Sequence, residues 1–426
     1  MASIVVVGGG VAGLACAWQL RRQGHAVEVL EREHEFGGRL RAQRAGAHRL
    51  ERGAALLRRA DGEVASLGAK LGLAPLPQTG SVALLWRGRL HSVDPTRPLR
   101  GAPHLSATAL VGLARLAWQV QRRAAPPGAA SPELAAALER SLGDGVLCRA
   151  AGEEAWSSWV EVLLGEAGGV AAADASDAFA HGLLQRVRAG LAAWSFEGGV
   201  ARLARALAAG LPVRAGCDVH SVETESGGAR VRYRSRGRSH SVVADAAVVA
   251  VPGDRVAAIC PKLTPDERGF FEQVSTRRAL VLHLLLEERP MLRATRVLVP
   301  RASGIDVSEL AVHSDPGVGH RVRVELRGDA VDRLWGVRAE EAEAWLRATL
   351  EGAPLRLPPA TRALLHRFDS GHAVFARGQL ERLARFANRM ERSPRLAFAG
   401  DSLGGPHVEG AVSSGLRAAE SIEREL

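Results

Sequence analysis

A chain of 426 residues corresponds to two or three domains at about 150 residues each. Its 46% apolar and 24% charged residues are the balance of an ordinary folded protein, which excludes disorder, collagen and coiled coil, and no run approaches the roughly 20 apolar residues of a membrane-spanning helix. The net charge of +10 is almost wholly arginine, since lysine occurs only at Lys70 and Lys262, and the arginines are scattered without forming a stripe, so no nucleic-acid partner is expected.

Ser3 to Val7 form a short β-branched run suited to a buried strand. It leads into Gly8-Gly9-Gly10-Val11-Ala12-Gly13, then a helix predicted over 11–23 and ended by Gly24, then a second strand from Ala26 to Leu30 that stops at Glu31. Strand, glycine turn, helix, strand and acid follow in the order of a dinucleotide-binding unit. In such a unit Gly8 permits the tight turn, Gly10 lets the backbone approach a pyrophosphate, and Gly13 lets the helix pack closely on the strand. The open amides at the helix start, around Val11 and Ala12, face the phosphate charge, and Glu31 accepts hydrogen bonds from the ribose hydroxyls. The apolar start lacks a basic leader and is studded with glycine, so a secretion signal is not expected.

The continuation, Glu31-Arg32-Glu33-His34-Glu35-Phe36-Gly37-Gly38-Arg39, resembles the flavoprotein group that includes monoamine oxidases, protoporphyrinogen oxidases and phytoene or squalene desaturases. The resemblance implies noncovalent FAD, with Arg32 beside Glu31 at the cofactor and with Gly38 and Arg39 at its pyrophosphate. Further along, Leu84-Leu85-Trp86-Arg87-Gly88-Arg89-Leu90-His91-Ser92-Val93 resembles a hairpin of protoporphyrinogen oxidases. Arg89 keeps the family's basic residue, while His91 stands where a substrate-contacting arginine is usual; both are taken as substrate-binding candidates. The stretch from Leu105 to Arg123 carries Leu110, Leu113, Leu116 and Trp118 with Arg115, Arg122 and Arg123, an amphipathic helix with basic flanks. Two readings stay open for it: a peripheral membrane contact, or an ordinary core or pocket helix. Pro126-Pro127-Gly128 marks a loop.

A helix is predicted after Gly198-Gly199, with strands around 213–222, 230–234 and 239–243; the resemblance places Val219 against the adenine. Ala246-Ala247-Val248-Val249-Ala250-Val251-Pro252 resembles the strand and proline, Pro252, that close the FAD domain. The lysine that amine oxidases generally place near the flavin has no counterpart around Thr276-Arg277-Arg278, and the single tyrosine, Tyr233, falls in a predicted hairpin. Gly371 to Leu383 again lines up with protoporphyrinogen oxidases, with Phe375 in place of a usual tyrosine as a third substrate candidate. At the C-terminal end, Leu396-Ala397-Phe398-Ala399-Gly400-Asp401 and Val408-Glu409-Gly410-Ala411 resemble the segments that hold the ribityl chain, through Gly400 and Asp401, and open a last helix under the flavin ring, at Val408 and Glu409.

These readings give an α/β fold: a Rossmann-type FAD domain assembled from 1–58, 195–259 and 379–426, with an inserted substrate domain of mixed sheet and helices from 59–194 and 260–378. Cys16, Cys148, Cys217 and Cys260 lie far apart without a CxxC pair, so neither a metal site nor a disulfide framework is expected and the compartment reads as cytoplasmic. No cysteine follows Cys260 to tether the flavin. The expected reaction is hydride transfer to flavin N5 from a hydrophobic or polycyclic substrate, with O2 or a quinone reoxidising the flavin. An atypical amine oxidase and a non-catalytic FAD-bound scaffold are the alternatives. If a side-chain base takes part, His407 is the first candidate, titrating near neutral pH at the entry to the flavin-contacting helix, with His91 and His372 behind it.

Overall fold

The computed structural model describes the chain except residues 95–103, 124–130, 169–170, 189, 191, 226, 293 and 316. The Pro126-Pro127-Gly128 loop therefore lies outside the described residues. Five parallel strands run in the order Val213–Arg214, Ala26–Leu30, Ser3–Val7, Ala246–Val249, Leu396–Phe398. The central strand is buried on both faces: Ile4 and Val6 pack with one core, Val5 and Val7 with another. That two-sided burial is why its sequence is continuously apolar rather than alternating. The helices Val11–Arg22 and Val408–Glu425 share the Ile4 and Val6 face. The antiparallel sheet of Asp218–Glu225, Gly228–Ser235 and Arg238–Ala244 covers the other. Arg236 and Gly237, with φ of 50° and 73°, form the tight turn of its second hairpin.

The stretch 213–222, read as one strand, is two. Val213–Arg214 joins the parallel sheet, and Gly216, at φ 69°, turns the chain so that Asp218–Glu225 starts the antiparallel one. The first helix ends at Arg22, one residue early, with Gly24 at φ 94° beyond it.

A second, seven-stranded sheet has the order Ala360–Ala373, Thr276–Leu286, Gly319–Leu326, Val307–Asp315, Arg296–Leu298, Val82–Trp86, Arg89–Val93. It is antiparallel except where Arg296–Leu298 meets Val82–Trp86. One face, carrying Leu280, Leu282, Leu284, Val322 and Val324, packs on the helix Ala339–Thr349 through Ala342 and Leu346. A helical layer, including Ala107–Arg122 and Asp177–Arg188, surrounds the fully buried Trp159. Ala107–Arg122 starts at Ser106, whose hydroxyl accepts from the Ala109 amide at 3.2 Å. Its Leu113 and Leu116 are core, whereas Leu110, Val111 and Trp118 face outward. No helix among the described residues is long and apolar enough to cross a membrane.

Candidate active site

A cavity of about 1580 Å³ opens at the carboxyl ends of the parallel strands and continues across the polar face of the seven-stranded sheet. At its first end, Gly8, Gly10 and Gly13 of the opening turn differ in what a side chain would meet. Gly8 has φ 108°, and a Cβ there would sit 2.6 Å from the Ala250 carbonyl oxygen. A Cβ on Gly13 would sit 2.0 Å from the Gly8 carbonyl oxygen, so this residue lies behind the cavity wall and sets the approach of helix to strand. Gly10, which lines the cavity, would meet no protein atom within 4 Å. The first helical bond runs from Leu14 to Gly10 at 2.9 Å, so the amides before Leu14 are free of the helix, and no acid stands in the first turn. Val11 and Ala12 line the cavity there.

Glu31, only 8% exposed, also lines this end. Its Oε2 accepts from the Gly9 amide at 2.7 Å and its Oε1 from the Glu33 amide at 2.8 Å, which fixes the carboxylate and leaves lone pairs for hydroxyl donors. Arg32 and the half-buried Val219 complete this end.

Within the cavity the two ends of the chain meet at an ion pair. Arg39 Nη1 donates to Asp401 Oδ2 at 2.9 Å and to the Gly371 carbonyl at 2.5 Å, and the Ala373 amide donates to the same Asp401 oxygen at 3.0 Å. Gly38, at φ 56°, bends the chain before Arg39, and Gly400, at φ 146°, does so before Asp401, with its amide held by Ser414 Oγ at 2.9 Å. Pro252 starts the helix Gly253–Ile259, and Val408 the last helix; both line the cavity beside this pair.

Several expected site residues lie elsewhere or behave differently. Glu409 does not line the cavity: its carboxylate accepts the amides of Glu63 and Val64 at 2.8 and 2.9 Å, capping the helix Gly62–Lys70, and burial pushes its pKa up. His407 lines the cavity but does not titrate near neutrality. Burial, then the Arg186 guanidinium, push its pKa well below the usual imidazole range. Its Nδ1 accepts from the Gly410 amide at 2.8 Å, so the proton of the neutral ring belongs on Nε2, which is sealed and unpartnered among the described residues. Arg89 is exposed on the hairpin strand Arg89–Val93, and His91 lies against His104 at 5.7 Å between ring centroids. Phe375 is fully buried, stacked at 4.3 Å on Phe179. None of these three reaches the cavity.

Residues that sequence reasoning passed over fill the second half. Glu166 Oε2 binds Arg58 Nη2 and Arg296 Nη2, each at 2.8 Å, and Arg296 also pairs with Glu309. These side chains are about a tenth exposed, so the floor carries fixed charge. Burial alone works against the ionised Glu309, yet Arg296 overrides it and holds the carboxyl below its usual range. Arg186 and Asp61 form a buried pair at 2.5 Å, and Arg277 binds Asp174 at 2.8 Å. His372, a weaker candidate base than His407 in the sequence, lies in the same cavity, its Nε2 sealed and unpartnered among the described residues. The one hint in the sequence was alternation: in Gly319–Leu326 the residues Arg321, Arg323 and Glu325 alternate with core valines. Lys262 is tied to Glu223 at 3.1 Å, Lys70 is exposed, and neither lines the cavity.

Residues 11–422 match the flavin containing amine oxidoreductase family. The chain belongs to that family. It is an FAD-dependent oxidoreductase, and the first half of the cavity suits FAD: open space at Gly10, free amides beyond it, and a cation at Arg39. A 131-residue stretch is 36% identical to a Mycobacterium tuberculosis protein named as a flavin-containing monoamine oxidase, AofH, covering 30% of this chain and 28% of that protein. The similarity thus spans under a third of that relative's length. A 47-residue stretch, 11% of this chain and 7% of the other, is 47% identical to an L-glutamate oxidase precursor of Streptomyces viridosporus. Among solved structures, a putrescine oxidase variant superposes with a TM-score of 0.80 at 20% identity, over 100% of this chain and 99% of that one. An Exiguobacterium protein described as a protoporphyrinogen oxidase gives 0.73 at 19%, again over 100% and 99%. At such identities these two show a shared fold.

Proposed function

We propose that this flavoprotein removes two hydrogens from a bulky substrate that joins an apolar, polycyclic body to ionised substituents. One observation carries the reading: at about 1580 Å³ the cavity exceeds the roughly 300–1,000 Å³ of a single ligand pocket, and its second half mixes Val162, Val281 and Leu298 with the charges at Glu166, Arg296 and Glu309. A dry tunnel suited to a long isoprenoid would lack those charges. When bound, FAD takes up the hydride and its electron pair. Gly8 and Gly10 shape the groove for its pyrophosphate, with Val11, Ala12, Gly38 and Arg39 supplying donors and charge. Glu31 and Arg32 hold the ribose end and Val219 the adenine. Pro252, Gly400, Asp401 and Val408 form the wall beside the ring. The FAD-binding unit is drawn from 1–58, 195–259 and 379–426, the segments that supply all five parallel strands, and O2 or a quinone accepts the electrons.

Amine oxidation is the second reading, favoured by the names of the structural neighbours, putrescine oxidase and cyclohexylamine oxidase. Against it, no lysine and no tyrosine lines the cavity among the described residues. Anaerobic mixing of the yellow protein with protoporphyrinogen, putrescine and cyclohexylamine separates the two. Bleaching by the tetrapyrrole is expected; bleaching by an amine alone transfers the proposal to the second reading, and none by any of the three leaves the scaffold.

The helix Ala107–Arg122 also supports a peripheral contact with an anionic bilayer. Its outward face carries Leu110, Val111 and Trp118, the last 56% exposed with Arg122 at 4.4 Å over its ring, and the helix contains no acid. Co-sedimentation with phosphatidylserine vesicles at low salt is expected, and its absence refutes the contact. Four unpaired cysteines fit a reducing compartment, the cytoplasm.

A further inference from the structure

His372 occupies the seam between the two halves of the cavity. It stands between Gly371, whose carbonyl accepts from Arg39, and Ala373, whose amide donates to Asp401. Both backbone neighbours are thus pinned to the pair that joins the chain's two ends. Across the sheet it is in register with Arg277, on the same face, and Arg277 is bound to Asp174 from the helical layer. The side chain lines the cavity, and its Nε2 has no hydrogen-bond partner among the described residues. Nε2 is sealed, which leaves Nδ1 as the nitrogen for the cavity.

We propose that His372 Nδ1 is the proton acceptor for the substrate in this enzyme. The step balances without a further reagent. A substrate C–H bond gives its hydrogen and electron pair to FAD, the neighbouring N–H or C–H bond gives its electron pair to the new C=N or C=C bond, and the proton left behind goes to Nδ1. The surroundings suit both states of the ring. Burial, aided by Arg39, keeps the imidazole neutral at rest by pushing its pKa below 6.5, while Asp174, Asp401 and Glu325 favour the imidazolium once the proton arrives. Arg277 is occupied by Asp174 and adds a second cation to the group. His407 does not compete, because its Nδ1 is already committed to the Gly410 amide.

The inference rests on the dehydrogenation proposed above, and its test separates the two. With whichever of protoporphyrinogen, putrescine or cyclohexylamine bleaches the wild type, the limiting rate of anaerobic flavin reduction is followed against pH for wild type, His372→Asn and His372→Ala. The wild-type rate is expected to fall on the acid side with an apparent pKa below 6.5. Both variants are expected to keep the flavin absorbance and half-saturation, to lose about 100-fold or more in limiting rate together with the acid limb, and H372A to regain rate with added imidazole. An acid limb above 7, a variant rate close to wild type, or colourless variants each overturn the assignment. Should none of the three reductants bleach the wild type, the dehydrogenation reading fails by itself. His372 is then judged from isotope-labelled histidine resonances of the FAD-loaded protein, where the signal missing in H372N must titrate below 6.5; a signal titrating above 7 or not at all refutes it.

Discussion

Two methyl groups placed three residues apart are expected to damage different properties. Gly10 has φ −72° and ψ 174°, which alanine adopts freely, and its added Cβ meets nothing in the protein within 4 Å. Gly10→Ala should therefore change apoprotein stability by no more than about 1 kcal/mol, the N-cap penalty being offset by a stiffer unfolded chain. The same methyl projects into the groove assigned to the pyrophosphate. An overpacking cost of about 1–3 kcal/mol there means FAD affinity weaker by roughly 5- to 150-fold. Gly13→Ala reverses the pattern. Its Cβ would lie 2.0 Å from the Gly8 carbonyl oxygen, where ordinary contact begins at 3.4 Å, so the loop must move by more than an ångström. A loss near about 3 kcal/mol in the apoprotein is expected, with FAD binding falling as a consequence. Urea unfolding of the apoproteins and fluorescence titration with FAD measure the two quantities independently. G10A binding FAD as tightly as wild type, or G13A as stable as wild type, would refute the steric reasoning.

Removing the Asp401 carboxylate by Asp401→Ala leaves the buried Ala373 amide without an acceptor and Arg39 with Gly371 alone; a loss of about 1–3 kcal/mol and at least several-fold faster FAD release on dialysis are expected, with D401N intermediate. Arg186→Met leaves Asp61 buried without its cation and should destabilise by about 3–5 kcal/mol in chemical denaturation, most of which R186M/D61L recovers. Burial pushes the Glu51 carboxyl up to about 7 against Arg49 and the Ala201 amide. The folded state therefore holds this proton more tightly than the unfolded chain, and the stability it contributes is full below 4.5 and lost as pH rises through about 7. Glu51→Gln should gain on wild type by up to about 3 kcal/mol across that window, and a difference that stays flat refutes the assignment.

The parallel sheet and the glycine turn were legible because their determinants are local. Ser3–Val7 is buried on both faces, and Gly13 answers a steric demand from the Gly8 carbonyl within the same turn, while Gly10 keeps open the space in front of it. The meeting of Arg39 with Asp401 was legible through resemblance, since 362 positions separate the two. Glu409 misled because a carboxylate opening a helix can serve its own helix, a cofactor or another helix; here it caps Gly62–Lys70. The charged half of the cavity was not legible. Alternation in Gly319–Leu326 shows that Arg323 and Glu325 avoid the core, but period two does not distinguish solvent from the inside of a cavity. His372 and Arg277 share a face only through the pairing of two distant strands, and no spacing along the chain encodes that register.

The last helix crosses the first so closely that a Cβ on Gly415 would touch the Ala12 carbonyl oxygen at 2.1 Å. During synthesis, the glycine turn emerges almost four hundred residues ahead of the segment that must lock over it. Until Leu396–Phe398 and that helix leave the ribosome, Ala246–Val249 is a bare sheet edge, open to mispairing with neighbouring nascent chains. With Asp401 and Val408 arriving last, coenzyme capture is expected late in maturation, and frameshifts or nonsense codons late in the reading frame should yield aggregates rather than partly active enzyme.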